Sequence, residues 1–189
     1  MKLIQNLLSF EIFTKLSSTI MQHNGYKCFD YTVYPNESDG SIDYFGEKNI
    51  NKPTKIHETL FTLDIYKRGH NAEITQDLYH YLRDEFKEMY KALNVKKMLV
   101  MRANCTVAAK ENYRSAFHVD INKSVYEGIG KTAIFYLNTN NGGTQFKNDE
   151  FVKSIANNVV VFNNTTEHAG VWCTDNKLRF VLNLNYLEN

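Results

Sequence analysis

From Lys97 to Tyr186 the chain is a series of short β-branched and aromatic runs separated by turn residues, a pattern that leaves few folds open. The runs are Lys97–Val107, Phe117–Ile121, Lys131–Asn138, Asn158–Phe162, Gly170–Cys173 and Leu178–Tyr186. Short strands at such close spacing predict a sandwich, jelly roll or barrel. The region before them reads differently. Ile74, Leu78, Leu82, Phe86, Met89 and Leu93 recur at helical spacing and predict one helix over Ile74–Leu93. Leu8, Ile12, Leu16 and Ile20 give Met1–Met21 the same amphipathic character. A strand is expected near Tyr31–Tyr34, and Pro35 and Pro53 bracket a polar stretch, Asn36 to Lys55, expected to be a long loop. Helices first and strands later predict an α+β, mainly β, domain whose helices brace one sheet.

Composition narrows the function classes. A chain of 189 residues with 43% hydrophobic content suits a single domain with its own core. Its 22 basic and 21 acidic residues leave a net charge of +1, so a nucleic-acid partner and an anionic membrane surface gain no support. The first helix is too polar for a membrane span or a signal-peptide core. Cys28, Cys105 and Cys173 are odd in number and widely spaced, which predicts neither a disulfide framework nor a thiolate zinc site. A reducing, cytoplasmic setting is expected.

Four residues carry the chemistry. In His118-Val119-Asp120 an imidazole and a carboxylate sit two apart, and on a strand they face one side together. His168 follows 50 residues later. If its strand is a neighbour, two histidines and one carboxylate can take one face of an octahedron and leave three positions open, the arrangement suited to ferrous iron. Arg179 lies on the last strand, on a face shared with Val181 and Asn183. A buried arginine needs an anion, either an acid of this protein or a ligand carboxylate that its planar fork fits. Tyr136 can donate its phenol to the same carboxylate, or can simply be a core tyrosine. Asn141-Gly142-Gly143-Thr144-Gln145-Phe146 reads as a tight turn entering a strand, its glycines expected to supply positive φ.

The order of these motifs resembles the prolyl-4-hydroxylase-like branch of the Fe(II)/2-oxoglutarate-dependent dioxygenases. The matching segments are His118-Val119-Asp120, Tyr136-Leu137-Asn138, Gly142-Gly143-Thr144-Gln145-Phe146, Val159-Val160-Val161-Phe162, His168-Ala169-Gly170 and Arg179-Phe180-Val181. The small size is similar to that of stand-alone viral or bacterial members, for which a host-cytoplasm location would follow. The resemblance implies a double-stranded β-helix (jelly-roll, cupin-like) core over residues 97–187, with 1–96 as a helical support region. It implies His118, Asp120 and His168 as iron ligands, and Arg179 as the 2-oxoglutarate C5-carboxylate anchor with Tyr136 beside it. Lys177, on the same face, is the fallback anchor. Fe(II) and 2-oxoglutarate are the implied cofactor and co-substrate, with ascorbate as accessory reductant. A protein, peptide or small molecule is the implied substrate, most readily a peptidyl proline. The family's Tyr-x-x-Gly pattern before the first histidine is missing, with Asn104 or Tyr113 as stand-ins. Asn122–Gly130 reads either as a lid or as a plain hairpin loop. Trp172 and Tyr126 are candidate substrate-pocket residues.

Three rival readings stay open. The same triad can hold zinc for hydrolysis, with Glu167 as the adjacent general base. The fold can serve as a non-catalytic binding or structural jelly roll. An oxygenase of this type can also act on a small molecule or a nucleic acid.

Overall fold

The computed structural model describes residues 1–34, 56–67, 76–120 and 130–189. The chain opens with β1 (Lys2–Ile4), α1 (Phe10–Met21), β2 (Lys27–Tyr34) and β3 (Ile56–Lys67). Helices α2 (Gln76–Tyr81) and α3 (Arg83–Ala92) lead into β4 (Val95–Val107), β5 (Arg114–Ser115), β6 (Gly130–Tyr136) and β7 (Gly143–Phe146). β8 (Phe151–Lys153), β9 (Val159–Asn163), β10 (His168–Val171) and β11 (Leu178–Glu188) complete it. The described strands run in the order β1-β9-β6-β11-β4-β3-β2-β5-β10-β7-β8, and neighbours are antiparallel. This is a mainly β jelly roll braced by helices, as the strand pattern predicts.

Strand alternation sorts the residues onto two faces. On β11, Phe180, Leu182, Leu184 and Tyr186 enter the main core; on β4, Met101, Ala103 and Cys105 do the same. The helices cover that face. Leu78, Leu82, Phe86, Met89 and Leu93 bury the predicted apolar stripe, and Leu16 and Ile20 of α1 pack into the same core. Ser9 caps α1 by accepting from the Ile12 amide. The opposite face of β6 and β9 holds a second, smaller cluster containing Ile134, Tyr136, Val160 and Phe162, joined by Val181 of β11.

Several expectations are corrected. The helix expected over Ile74–Leu93 is two helices broken at Leu82; Leu82 N–H still bonds the Leu78 carbonyl and Phe86 N–H the Leu82 carbonyl, so the apolar stripe continues across the break. Met1–Met21 begins with a strand, β1, which pairs with β9, and only Phe10–Met21 is helical. Residues 1–96 also supply β2 and β3 to the sheet, and the 12-residue β3 has no counterpart in the sequence reading. The described part of the strand expected over Phe117–Ile121, residues 117–120, is not a regular strand: His118 makes an isolated antiparallel bridge to His168, and Ile121 lies outside the described residues. Gly142 and Gly143 have no positive φ. They are required by space, since a Cβ on Gly142 would lie 2.6 Å from the Val171 carbonyl oxygen and one on Gly143 would collide with the Val152 carbonyl. The expected loop Asn36–Lys55, the residues 122–129 of the expected lid with their Tyr126, and Ile74 lie outside the described residues.

Candidate metal centre

The bridge between His118 and His168 builds the site. Each residue donates its backbone N–H to the other's carbonyl at 3.0 Å, which sets two side chains 50 positions apart side by side with ring centroids 4.7 Å apart. Each imidazole is then oriented by its own backbone. His118 Nδ1 lies 2.9 Å from the Ala116 carbonyl oxygen, and His168 Nδ1 lies 3.1 Å from that of Thr166. A carbonyl only accepts, so each Nδ1 carries a hydrogen and Nε2 is the atom turned outward, the one left for a metal.

Both Nε2 atoms face Asp120. His118 Nε2 is 3.6 Å from Asp120 Oδ1, and His168 Nε2 is 3.6 Å from Asp120 Oδ2. The three donor atoms lie within 4.8 Å of one another, close enough to share one ion. The set fits a ferrous ion, since it is two imidazoles and a carboxylate with room for further ligands. Burial opposes the charged form of Asp120, but the His118 hydrogen bond, the two imidazoles and the Asn183 amide outweigh it and hold the carboxyl below its ordinary range. Burial pulls down on His118, yet the hydrogen bond and charge of Asp120 raise it overall. For His168 burial wins and the imidazole is held lower, favouring the neutral form. Phe162 packs against the His168 ring at 4.7 Å and closes the apolar side of the centre.

The cavity beside this centre is also lined by Arg179, which meets the Gly143–Val171 end of the β7–β10 pair while His168 stands at the Phe146 end; Asn104, Thr106, Thr144, Trp172 and Asn183 are among its walls. Arg179 is almost fully buried. Its Nε donates to Ser154 Oγ at 3.1 Å and its Nη2 to the Gly143 carbonyl at 2.7 Å. Among the described residues no carboxylate pairs with it and Nη1 has no partner, so the anion that its burial calls for is not an acid of the described chain. Gly142 lets the strand pass close to this side chain, because a Cβ there would lie 3.0 Å from Arg179 Cδ.

Tyr136 sits one layer behind the cavity. Its hydroxyl is 2.9 Å from Thr144 Oγ1 and 3.2 Å from the Val152 carbonyl oxygen, and burial pushes the phenol up to about 12, so it stays a donor. Thr144, in front of it, lines the cavity. Lys177 is exposed and outside the cavity, whereas Asn104 lines it. Tyr113 is buried against Trp172. Glu167 is exposed, ion-paired with Lys147 at 2.8 Å and not part of the three-donor group, so the structure gives it no place as the general base of zinc hydrolysis. Sequence reading missed Thr106, Thr144 and Asn183 as site residues. Alternation from Arg179 put Asn183 on the right face, but nothing local distinguishes a strand threonine that lines a cavity from one facing water.

No family model matches this sequence, and no curated protein does. Solved structures match across the whole chain. A Pseudomonas putida prolyl-4-hydroxylase superposes with a TM-score of 0.56 at 11% identity, covering 100% of this chain and 92% of that one. The viral collagen prolyl hydroxylase of Paramecium bursaria Chlorella virus-1, solved with 2-oxoglutarate, gives 0.51 at 12% identity over 98% and 95%. The non-haem α-ketoglutarate-dependent epimerase SnoN of nogalamycin biosynthesis gives 0.61 at 11% over 98% and 76%. The fold is therefore that of the non-haem, 2-oxoglutarate-dependent oxygenases. Prolyl hydroxylases are among its bearers, in agreement with the order of motifs in the sequence.

Proposed function

We propose that this chain is an Fe(II)- and 2-oxoglutarate-dependent dioxygenase that hydroxylates a peptidyl, prolyl-type residue and releases succinate and carbon dioxide. The observation that carries the reading is the pairing of two features in one cavity. His118, Asp120 and His168 converge at one end, and a buried guanidinium without a carboxylate partner among the described residues lies at the other. A five-carbon dicarboxylate has an acid at each end, and this cavity offers a site for each.

The chain's own residues divide the work. Arg179 would receive the distal carboxylate through Nη1, its other donors being held by Ser154 and Gly143 so that the fork cannot swing. Thr144, backed by Tyr136, would donate its hydroxyl to the same carboxylate, and the unpartnered Thr106 hydroxyl lies on the strand position paired with Arg179. The Nδ1 bonds of His118 and His168 fix both rings in orientation and aim each Nε2 at Asp120. Phe162 and Ile134 help to exclude water. When bound, the iron supplies activation of dioxygen coupled to oxidative decarboxylation of the co-substrate.

Purified protein with Fe(II) and ascorbate should convert 2-oxoglutarate to succinate, slowly without substrate. His118→Ala and Asp120→Ala should abolish this, and turnover that survives both would sink the reading. The prolyl class rests on the prolyl hydroxylases among the structural neighbours. Mass spectrometry for a gain of one oxygen on proline-containing peptides tests it separately, and SnoN, described as an epimerase of antibiotic biosynthesis, makes small-molecule substrates the alternative outcome.

A further inference from the structure

Behind Asp120 stands a line of three polar side chains. β11 sends Asn183 and Asn185 to one face, and β6 sets Thr132 opposite Asn185. Asn183 Nδ2 donates to Asp120 Oδ2 at 3.0 Å, Asn185 Nδ2 donates to Asn183 Oδ1 at 3.2 Å, and Thr132 Oγ1 donates to Asn185 Oδ1 at 2.9 Å.

The direction of this chain follows from its end. An ionised carboxylate accepts only, so Asn183 must turn its NH2 toward Asp120 and its oxygen toward Asn185. Asn185 must then offer its own NH2 to Asn183, and its oxygen takes the Thr132 hydroxyl. Every donor points toward the carboxylate, and such aligned bonds polarise one another in a buried setting. Thr132 is 0% exposed and Asn185 4%. Buried polar groups cost stability unless they are bonded, and the adjoining Ile134 and Val181 on this face are apolar. Packing alone does not call for a buried Thr-Asn-Asn line that ends on a metal-binding carboxylate.

We propose that Thr132, Asn185 and Asn183 form a positioning relay that ties Asp120 Oδ2, the oxygen beside His168 Nε2, to an amide donor and so favours metal binding through Oδ1, the oxygen beside His118 Nε2. The proposal rests on the metal-centre reading above. Its consequence is coordinative: a carboxylate binding through both oxygens would occupy one of the positions that a chelating co-substrate and dioxygen need, whereas one-oxygen binding keeps three open. Asn183 and its two partners act through Asp120 and are positioning residues.

The test is Co(II) binding to the full chain under anaerobic conditions, read by affinity and by the visible absorption bands that report coordination number. Asn183→Ala should lower Co(II) affinity by roughly 10- to 100-fold, the range for loss of an outer-shell partner, and alter the bands as Asp120 becomes free to bind through both oxygens. Thr132→Val, close in shape, should weaken binding less, and should have no effect in the Asn183→Ala background. That non-additivity is the mark of a relay, because independent packing defects would add. Additive losses, or a Co(II) affinity and spectrum matching wild type in Asn183→Ala, would overturn the relay. Should Asn183→Ala not fold, Thr132→Val decides alone: weakened binding supports the relay, and binding within twofold of wild type with unchanged bands overturns it. Failure of the wild-type chain to bind Co(II) is a different result and sinks the metal centre itself.

Discussion

Replacing Arg179 is the sharpest probe of the far end of the cavity. The guanidinium spends Nε on Ser154 and Nη2 on Gly143, which leaves Nη1 as the group for a ligand carboxylate. A hydrogen bond to a charged group contributes about 1.5–3 kcal/mol. Arg179→Ala should therefore raise the 2-oxoglutarate requirement roughly 10- to 150-fold, at about 1.4 kcal/mol per tenfold. It also leaves the buried Gly143 carbonyl and Ser154 hydroxyl short of a donor, so some loss of melting temperature is expected. Arg179→Lys separates the two effects: it retains the charge but loses the fork, and should recover only part of the affinity. The assay is succinate formation against 2-oxoglutarate concentration at saturating Fe(II), together with the melting-temperature shift that 2-oxoglutarate induces with Mn(II) in place of iron. A folded Arg179→Ala protein with unchanged KM for 2-oxoglutarate would refute the anchor role. An equal effect from Lys177→Ala would move that role to the exposed lysine.

Other outcomes follow from the same geometry. Chelation should stop turnover and lower the melting temperature, and Fe(II) should restore both; an ion at 100 times its Kd stabilises the fold by about 2.7 kcal/mol, measurable by differential scanning fluorimetry. Glu167→Gln should leave succinate formation within about twofold of wild type, because its exposed pair with Lys147 contributes at most about 1 kcal/mol; a collapse of activity would place Glu167 in the working site. Phe86→Ala, at a fully buried position under the sheet, should cost about 3–5 kcal/mol and roughly 6–20 °C of melting temperature, read by circular dichroism.

Local sequence determines a good deal of this protein. The two-residue alternation of Leu178–Tyr186 assigns Arg179, Val181 and Asn183 to one face, and that face lines the cavity. The apolar stripe from Leu78 to Leu93 marks the helical brace even though the backbone breaks at Leu82. These are properties of short windows, where spacing along the chain decides which way a side chain points. Other features depend on contacts distant in sequence. His-x-Asp at 118–120 became a three-donor site only when His118 and His168 paired across strands, and no local pattern encodes that register. The glycines at 142 and 143 read as turn formers, yet they are needed because Arg179 and the Val152 carbonyl approach them from other strands. Thr144 in front of Tyr136, and the amides behind Asp120, took their places by cross-strand neighbours as well. Only the folded sheet decides which side chains share a cavity, because it brings residues as far apart as Asp120 and Asn183, 63 positions from one another, within one hydrogen bond.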